Sequence, residues 1–363
     1  MKILYVISDR NIGGAGIQLL NNLRHLNRRE FAVTVALPFR SRLRERLLAA
    51  HIRVRELENP CEELSLRAVC ELARVIREEH PDIVHTNAAV AARVAGKLTG
   101  RRVIFTRHCA YPAAANATPI AAKLANRLLT DRAVATASAA ARDLIAMGVP
   151  SGAITVILNG SDSVREVGAE ELNAWREKLS LDGDDFCVGI CARLESCKGH
   201  DVFLRAAKQA VGRMPNRRFR FLVIGDGSRR AELERMTAQL ELSEAVRFTG
   251  FVPDVAPLYR LMRLHVNASR GTETSCLAVS EAMSAGVPEL VSDYGGNREM
   301  IGESLAGIVF PEGNDGALAD AICRVAGDGK LEDSMRRAAV LRYRRLFTAE
   351  RMTDRLMEVY RGM

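Results

Sequence analysis

The feature that most constrains this chain is a regular exchange of short apolar strands and amphipathic helices that runs, pauses and starts again. Ile3-Leu4-Tyr5-Val6-Ile7 reads as a buried strand. It leads through the glycine-rich turn Asn11-Ile12-Gly13-Gly14-Ala15-Gly16 into a helix carrying Leu19, Leu20, Leu23 and Leu26. Strands over 31–37 and 102–106, and helices over 42–50, 66–79 and 90–98, continue the pattern. It pauses near Val156-Ile157-Leu158-Asn159-Gly160-Ser161-Asp162 and resumes with strands over 186–190, 219–224, 246–249, 264–267, 290–292 and 307–309. Strands and helices alternating at this length imply right-handed βαβ units and parallel sheets. The expectation is two successive α/β domains, 1–165 and 166–345. The final helix, over 349–360 within the segment 346–363, has no strand after it to fix its place. Packing back on the first domain is one option for it. Ligands of open parallel sheets bind beyond the carboxyl ends of the strands, so two such domains facing each other would offer a cleft there.

Charge and cysteine content narrow the function classes. Of the net charge of +8, residues 1–165 carry 24 Lys and Arg against 14 Asp and Glu, whereas the remainder carries 28 against 30. A basic first half favours phosphate-rich partners, or is simply a solvated surface. Aromatics make up 5% of the chain and no nucleic-acid motif is present, so nucleic acid is not the expected partner. The apolar start, Ile3 to Ile7, is too short for a signal peptide or a spanning helix. The expected location is the cytoplasm, or peripherally the inner face of a membrane. The eight cysteines, Cys61 among them, form no CxxC pair, and reduced structural thiols are the expectation. Asp182-Gly183-Asp184-Asp185 precedes a strand, which is the wrong context for a metal-binding acidic motif, so no metal is expected.

The segment richest in chemistry is Arg270-Gly-Thr-Glu273-Thr-Ser275-Cys276-Leu277-Ala-Val-Ser-Glu281-Ala-Met-Ser-Ala-Gly286-Val-Pro288. A strand ends near Asn267, and Thr274 or Ser275 reads as the cap of a helix that stops at Gly286-Val287-Pro288. Glu273 then lies beside the free amides and positive dipole end of that helix, a setting that suits a diphosphate. Glu281 offers a second carboxylate, able to accept hydrogen bonds from vicinal hydroxyls. The bland alternative is that Glu273 only caps the helix and Glu281 faces water.

The context of the two acids resembles the donor-binding signature of the large retaining glycosyltransferase family numbered four, of the GT-B fold. The matching residues are Glu273, the run Glu281-Ala-Met-Ser-Ala-Gly286-Val-Pro288, and the turn Gly295-Gly296-Asn297-Arg298-Glu299. Further matches are Arg193-Leu194-Glu195-Ser196-Cys197-Lys198-Gly199, Gly225-Asp226-Gly227, Phe248-Thr249-Gly250-Phe251-Val252-Pro253 and Asn159-Gly160. Gly13, Gly14 and Gly16 resemble the family's glycine-rich loop, His108 its histidine after a strand, and His85 a strand-end histidine. The resemblance implies two Rossmann-like, doubly wound parallel-sheet domains facing each other across a cleft. It implies that Arg193 and Lys198 clamp a donor diphosphate, and that Gly225, Phe251 and Val252 meet the nucleotide. It further implies that Glu273 orients sugar hydroxyls, with Ser275, Cys276 and Leu277 on the pocket rim, that Glu281 holds the ribose, and that His108 lies near the transferred sugar.

The activity so implied is metal-independent, retaining transfer from a nucleotide sugar, a UDP-sugar favoured and GDP-mannose the alternative. The acceptor would be a glycan or lipid-linked hydroxyl in cell-surface polysaccharide or glycolipid synthesis. No cofactor beyond that substrate is implied. The basic helix over 42–50 is a candidate contact with an anionic membrane. Two other readings stand beside this one: a non-catalytic sugar-nucleotide-binding protein, and a nucleotide-sugar epimerase on a similar fold. Three departures are visible. Thr274-Ser275-Cys276-Leu277 replace the usual glycine-containing run, Glu289 stands where an apolar strand residue is usual, and Ser161 follows Asn159-Gly160.

Overall fold

The computed structural model describes residues 1–363 apart from 9, 11, 60–63, 88, 110–117 and 272, so Cys61 and Asn11 lie outside the described residues. The chain forms two compact units, Met1–Gly160 with Ala349–Met363, and Ser161–Thr348. Each is a doubly wound parallel sheet with helices on its faces.

The first sheet contains β1 (Lys2–Val6), β2 (Ala32–Pro38), β3 (Arg53–Leu57), β4 (Ile83–Asn87), β5 (Arg102–Arg107), β6 (Arg132–Ala135) and β7 (Ile154–Val156). Their order is β3-β2-β1-β4-β5-β6-β7, every pair parallel. The order reverses direction between β1 and β4, and the glycine turn follows β1 at that point. Strands β3, β6 and β7 escape the apolar-run criterion. β3 has three charged residues among its five, and β6 and β7 are four and three residues long.

The final helix, Ala349–Arg361, belongs to this first unit. Its stripe of Met352, Leu356, Met357 and Tyr360 covers Ile3, Ile83, Ile104 and Val134 of the sheet and Phe31 just before β2. The spacing of four, one and three residues places all four on one helical face. His85, on β4, is enclosed here. Its Nδ1 lies 2.7 Å from the Tyr360 hydroxyl and its Nε2 2.6 Å from Thr106 Oγ1. Burial, and then the charge of neighbouring His108, lower its pKa to about 3, so this imidazole is a neutral structural strut.

The second sheet contains β8 (Phe186–Cys191), β9 (Phe219–Ile224), β10 (Val246–Gly250), β11 (Leu264–Asn267), β12 (Glu289–Ser292) and β13 (Gly307–Phe310), in the order β10-β9-β8-β11-β12-β13. Again every pair is parallel, and the reversal falls between β8 and β11. Phe186, Phe203, Phe219, Phe221 and Phe310 fill its main core. Glu289, the unexpected acid, is the first residue of β12 and wholly buried. Its Oε2 lies 2.8 Å from Nδ1 of His265, directly across on β11. Burial pushes its carboxyl up to about 7 against the opposing effect of His265. The departure is therefore half of a cross-strand pair whose other half carries no sequence signal.

Candidate active site

At the carboxyl edge of the second sheet the described residues of the loop after β11, 268–271 and 273–276, are clamped from both sides. Gly199 (φ 70°) closes the loop after β8, and a Cβ there would lie 2.0 Å from the Ala268 carbonyl oxygen. Gly295 (φ 60°) plays the same part after β12, where a Cβ would lie 1.9 Å from the Glu273 carbonyl oxygen. Only glycine tolerates both the left-handed backbone and that approach. Side chains complete the clamp. Arg270 donates its amide to Cys197 O at 2.7 Å, its Nε to Ser196 O at 3.1 Å and a terminal nitrogen to Asp201 at 3.0 Å. Ser292 Oγ donates to Ser269 O at 2.6 Å, and Tyr294 donates its hydroxyl to Gly271 O. Three loops from β8, β11 and β12 thus form one rigid rim.

Glu273 and Lys198 meet inside this rim, Nζ to Oε2 at 2.5 Å, and Ser269 Oγ donates to the same oxygen at 3.1 Å. Both side chains are mostly buried. Burial pulls the Lys198 ammonium down, but the Glu273 charge and hydrogen bond outweigh it, and its pKa lies above the ordinary value. Arg193 follows β8 and is exposed. Its charge acts on Glu195, whose Oε2 accepts from Ser228 Oγ at 3.0 Å. Two cations therefore sit on one loop, one paired with a carboxylate and one in solvent.

The helix after the loop is Leu277–Ser284 with Cys276 at its N-cap, so it starts later than the Thr274 or Ser275 that the sequence suggests as caps. Thr274 and Ser275 are instead buried within the loop. Burial raises the Cys276 thiol pKa, opposed by Lys198 and by the Val279 and Ala278 amides, so the sulfur lies over the first turn of this helix. Glu281 is half-buried and accepts a hydrogen bond from the Tyr259 hydroxyl at 3.1 Å. Burial raises its pKa, against the effects of Tyr259 and His265. Tyr259 was missed in the sequence, because it stands 22 residues upstream on another helix, Ala256–Leu261. Gly225 follows β9 and donates its amide to Gly250 O at 3.0 Å, joining the β9 and β10 loops. That places Gly225 beside Phe251, which is 71% exposed, and Val252, which packs on the core.

In the first unit, Gly13 precedes the helix Gly14–His25, and a Cβ on Gly13 or Gly14 would meet nothing within 4 Å. Gly16 faces Leu43 at 3.6 Å. His108 follows β5, one strand beyond the β4 that borders β1. Burial lowers its pKa to about 4, so it is neutral near pH 7. The helix proposed for membrane contact spans Leu43–Ala49, and both Leu43 and Leu47 are spent on the core. Its amphipathic face is a packing face. Among the described residues no helix is long and apolar enough to cross a membrane, and no three His, Cys, Asp or Glu gather as a metal site. Asp182 and Asp185, from the acidic turn, pair with Arg218 at the start of the strands.

Two doubly wound parallel units with a clamped, charged loop at a carboxyl edge define a protein of the GT-B fold. Residues 12–165 match the family model described as Glycosyltransferase Family 4, and residues 172–342 match Glycosyl transferases group 1. The chain belongs to this glycosyltransferase family. A D-inositol 3-phosphate glycosyltransferase of Nocardia farcinica is 27% identical over 73% of the chain, the match spanning 64% of that relative's length. A GDP-mannose-dependent alpha-mannosyltransferase of Mycobacterium tuberculosis is 28% identical over 70% of this chain and 67% of its own. The crystal structure of Anabaena HepE in complex with UDP superposes with a TM-score of 0.85 over 100% of both chains, at 21% identity.

Proposed function

We propose that this protein transfers a sugar from a nucleoside-diphosphate sugar to an acceptor hydroxyl with retention of anomeric configuration. The observation that carries this reading is the Lys198–Glu273 pair held in a rim of three interlocked loops. A lysine kept charged and mostly buried, with Arg193 on the same loop, suits the β-phosphate of a leaving nucleoside diphosphate. Glu273 is then left to accept hydrogen bonds from sugar hydroxyls, Glu281 from the ribose, and the exposed Phe251 ring to lie against the base. The open space beside Gly13 and Gly14 supports a further backbone approach to the donor or acceptor, since nothing in their own unit requires glycine there. Neutral His108 is a hydrogen-bonding group near the transferred sugar.

In the proposed step the bond between the anomeric carbon and the diphosphate oxygen breaks. The acceptor oxygen bonds to that carbon on the same face, and the acceptor proton passes to the departing phosphate. The cations stabilise the charge on that phosphate, and no metal is required. A UDP-sugar is the favoured donor on the strength of the UDP in the HepE structure, with GDP-mannose the alternative suggested by the mycobacterial relative. The acceptor is a glycan or lipid-linked hydroxyl.

A thermal-shift screen over UDP, GDP, ADP and their sugars tests this. A nucleotide at about a hundred times its dissociation constant adds about 2.7 kcal/mol. That corresponds to an upward shift of roughly 5–10 °C. With the donor so found, Glu273→Ala loses transfer while still binding the nucleotide, and transfer persists in EDTA. Full activity of Glu273→Ala, or epimerised nucleotide sugar formed without acceptor, would overturn the assignment.

A further inference from the structure

The helix Ile120–Leu128 packs inside out. It buries none of its residues, and Ile120 (86%), Leu124 (57%) and Leu128 (65%) stand exposed. At four-residue spacing these three form one stripe. Of the two half-buried residues turned toward the fold, Ala122 and Asn126, only Asn126 has a side chain long enough to reach it, and that one is polar. Asn126 lies roughly 160° around the helix from the stripe's centre. Its side-chain oxygen accepts from buried Arg93 at 2.9 Å, and its amide nitrogen donates to Met147 O at 2.9 Å. Arg93 also donates to Thr130 Oγ1 at 2.8 Å and lies over the Phe105 ring. Gly148 (φ 94°) lets the helix backbone come close, for a Cβ there would meet Lys123 O at 2.6 Å. The docking of this helix thus rests on Asn126, the backbone at Lys123 and the small Ala122, and its large apolar side chains are turned outward.

Charge selects the occupant. Lys123 and Arg127 border the stripe along one side and are exposed, and the helix has no Asp or Glu. Residues 83–160 as a whole hold nine Lys and Arg against two Asp and Glu. Two copies meeting through this face would bring their cations together, which opposes self-association. A surface that is apolar a few ångströms down and anionic above matches both features. We infer that the helix Ile120–Leu128 lies in the interface of an anionic phospholipid bilayer, Ile120, Leu124 and Leu128 entering the acyl boundary and Lys123 and Arg127 meeting lipid phosphates. This surface goes beyond the donor-site reading and does not depend on it. It replaces Leu43–Ala49, where Leu43 and Leu47 are buried and Leu48 alone of the leucines is exposed, as the membrane contact of the basic unit.

Co-sedimentation of the full chain with phosphatidylcholine vesicles, with and without phosphatidylglycerol, tests the inference. The chain is expected to partition onto the anionic vesicles and to release as salt is raised. Leu124→Ser with Leu128→Ser lowers the partition about a hundredfold, at about tenfold for each leucine removed from the acyl boundary. Lys123→Gln with Arg127→Gln lowers it on the order of 30-fold on anionic vesicles alone. All four positions are solvent-exposed, so the unfolding temperature of each variant stays at the parent value. The inference is overturned if the parent chain stays in the supernatant with anionic vesicles, or if the double serine variant binds as the parent does. A dimer in light scattering that the same variant dissolves would assign the stripe to a second copy instead, and would equally overturn it.

Discussion

Replacing His200 by leucine should make the second unit less sensitive to acid. His200 opens the helix His200–Arg213 and is 0% exposed, and both ring nitrogens are buried without a hydrogen-bond partner. Burial, then the charges of Arg229 and Lys198 against the opposing charge of Asp201, lower its pKa from 6.5 to about 4. A depressed folded-state pKa contributes stability that is present above pH 6.5 and is lost as pH falls toward 4. At pH 5 an imidazole of pKa 6.5 in the unfolded chain is almost fully protonated, whereas one near 4 is mostly neutral, a difference of roughly 2 kcal/mol. Leucine removes that dependence and also removes two unsatisfied nitrogens, which cost about 1–3 kcal/mol when buried unpaired. The chain's one tryptophan, Trp175, sits on the helix Ala169–Leu179 of the same unit, so its emission follows the relevant transition. Urea denaturation at pH 8 and pH 5 should show His200→Leu at least as stable as the parent at pH 8. Its loss on going to pH 5 should be smaller by roughly 2 kcal/mol. An unchanged acid loss would refute the account of this histidine as a buried neutral group.

Other substitutions probe the remaining supports. Tyr360→Phe removes the hydroxyl bonded to His85 and should cost about 1–3 kcal/mol in the first unit, read by far-ultraviolet circular dichroism in urea. Gly295→Ala forces a Cβ onto the Glu273 carbonyl in a left-handed backbone. It should lower the stability reported by Trp175 by at least about 1–2 kcal/mol and weaken donor binding; a variant with parental binding would contradict the clamp. Leu47→Ala should cost about 2–4 kcal/mol as a core deletion. Exposed Leu48→Ser, by contrast, should stay within about 0.5 kcal/mol, and neither change should alter vesicle binding.

Fold and site were legible to different degrees. An apolar strand such as Phe186–Cys191 is readable because burial on both faces leaves an uninterrupted run without a charge. The β3 strand escapes because three of its five residues are charged and held in ion pairs, as Arg55 is with Glu78 and Glu79. The motif around Glu273 was readable as acid before helix, but its local start was misplaced. Thr274 and Ser275 look like caps by residue type, yet the clamp buries them and delays the helix to Leu277. Lys198 could be named from its loop, while its pairing with Glu273, 75 residues away, depends on β8 and β11 lying side by side. The same holds for Tyr259 with Glu281 and His265 with Glu289. The outward stripe of Ile120, Leu124 and Leu128 is an ordinary helical period in sequence, and only Asn126 facing inward shows which side is solvent.

The central claim is that Lys198 and Arg193 hold the diphosphate of a nucleotide. Isothermal titration of UDP and GDP into the parent chain, Lys198→Ala and Arg193→Ala tests it most directly. A charge-assisted hydrogen bond is worth about 1.5–3 kcal/mol, so each variant should bind the preferred nucleotide about 10- to 150-fold more weakly while still unfolding cooperatively, Lys198→Ala at lower stability because Glu273 loses its partner. Equal affinity in all three proteins, or no binding of either nucleotide to the parent, would contradict the account.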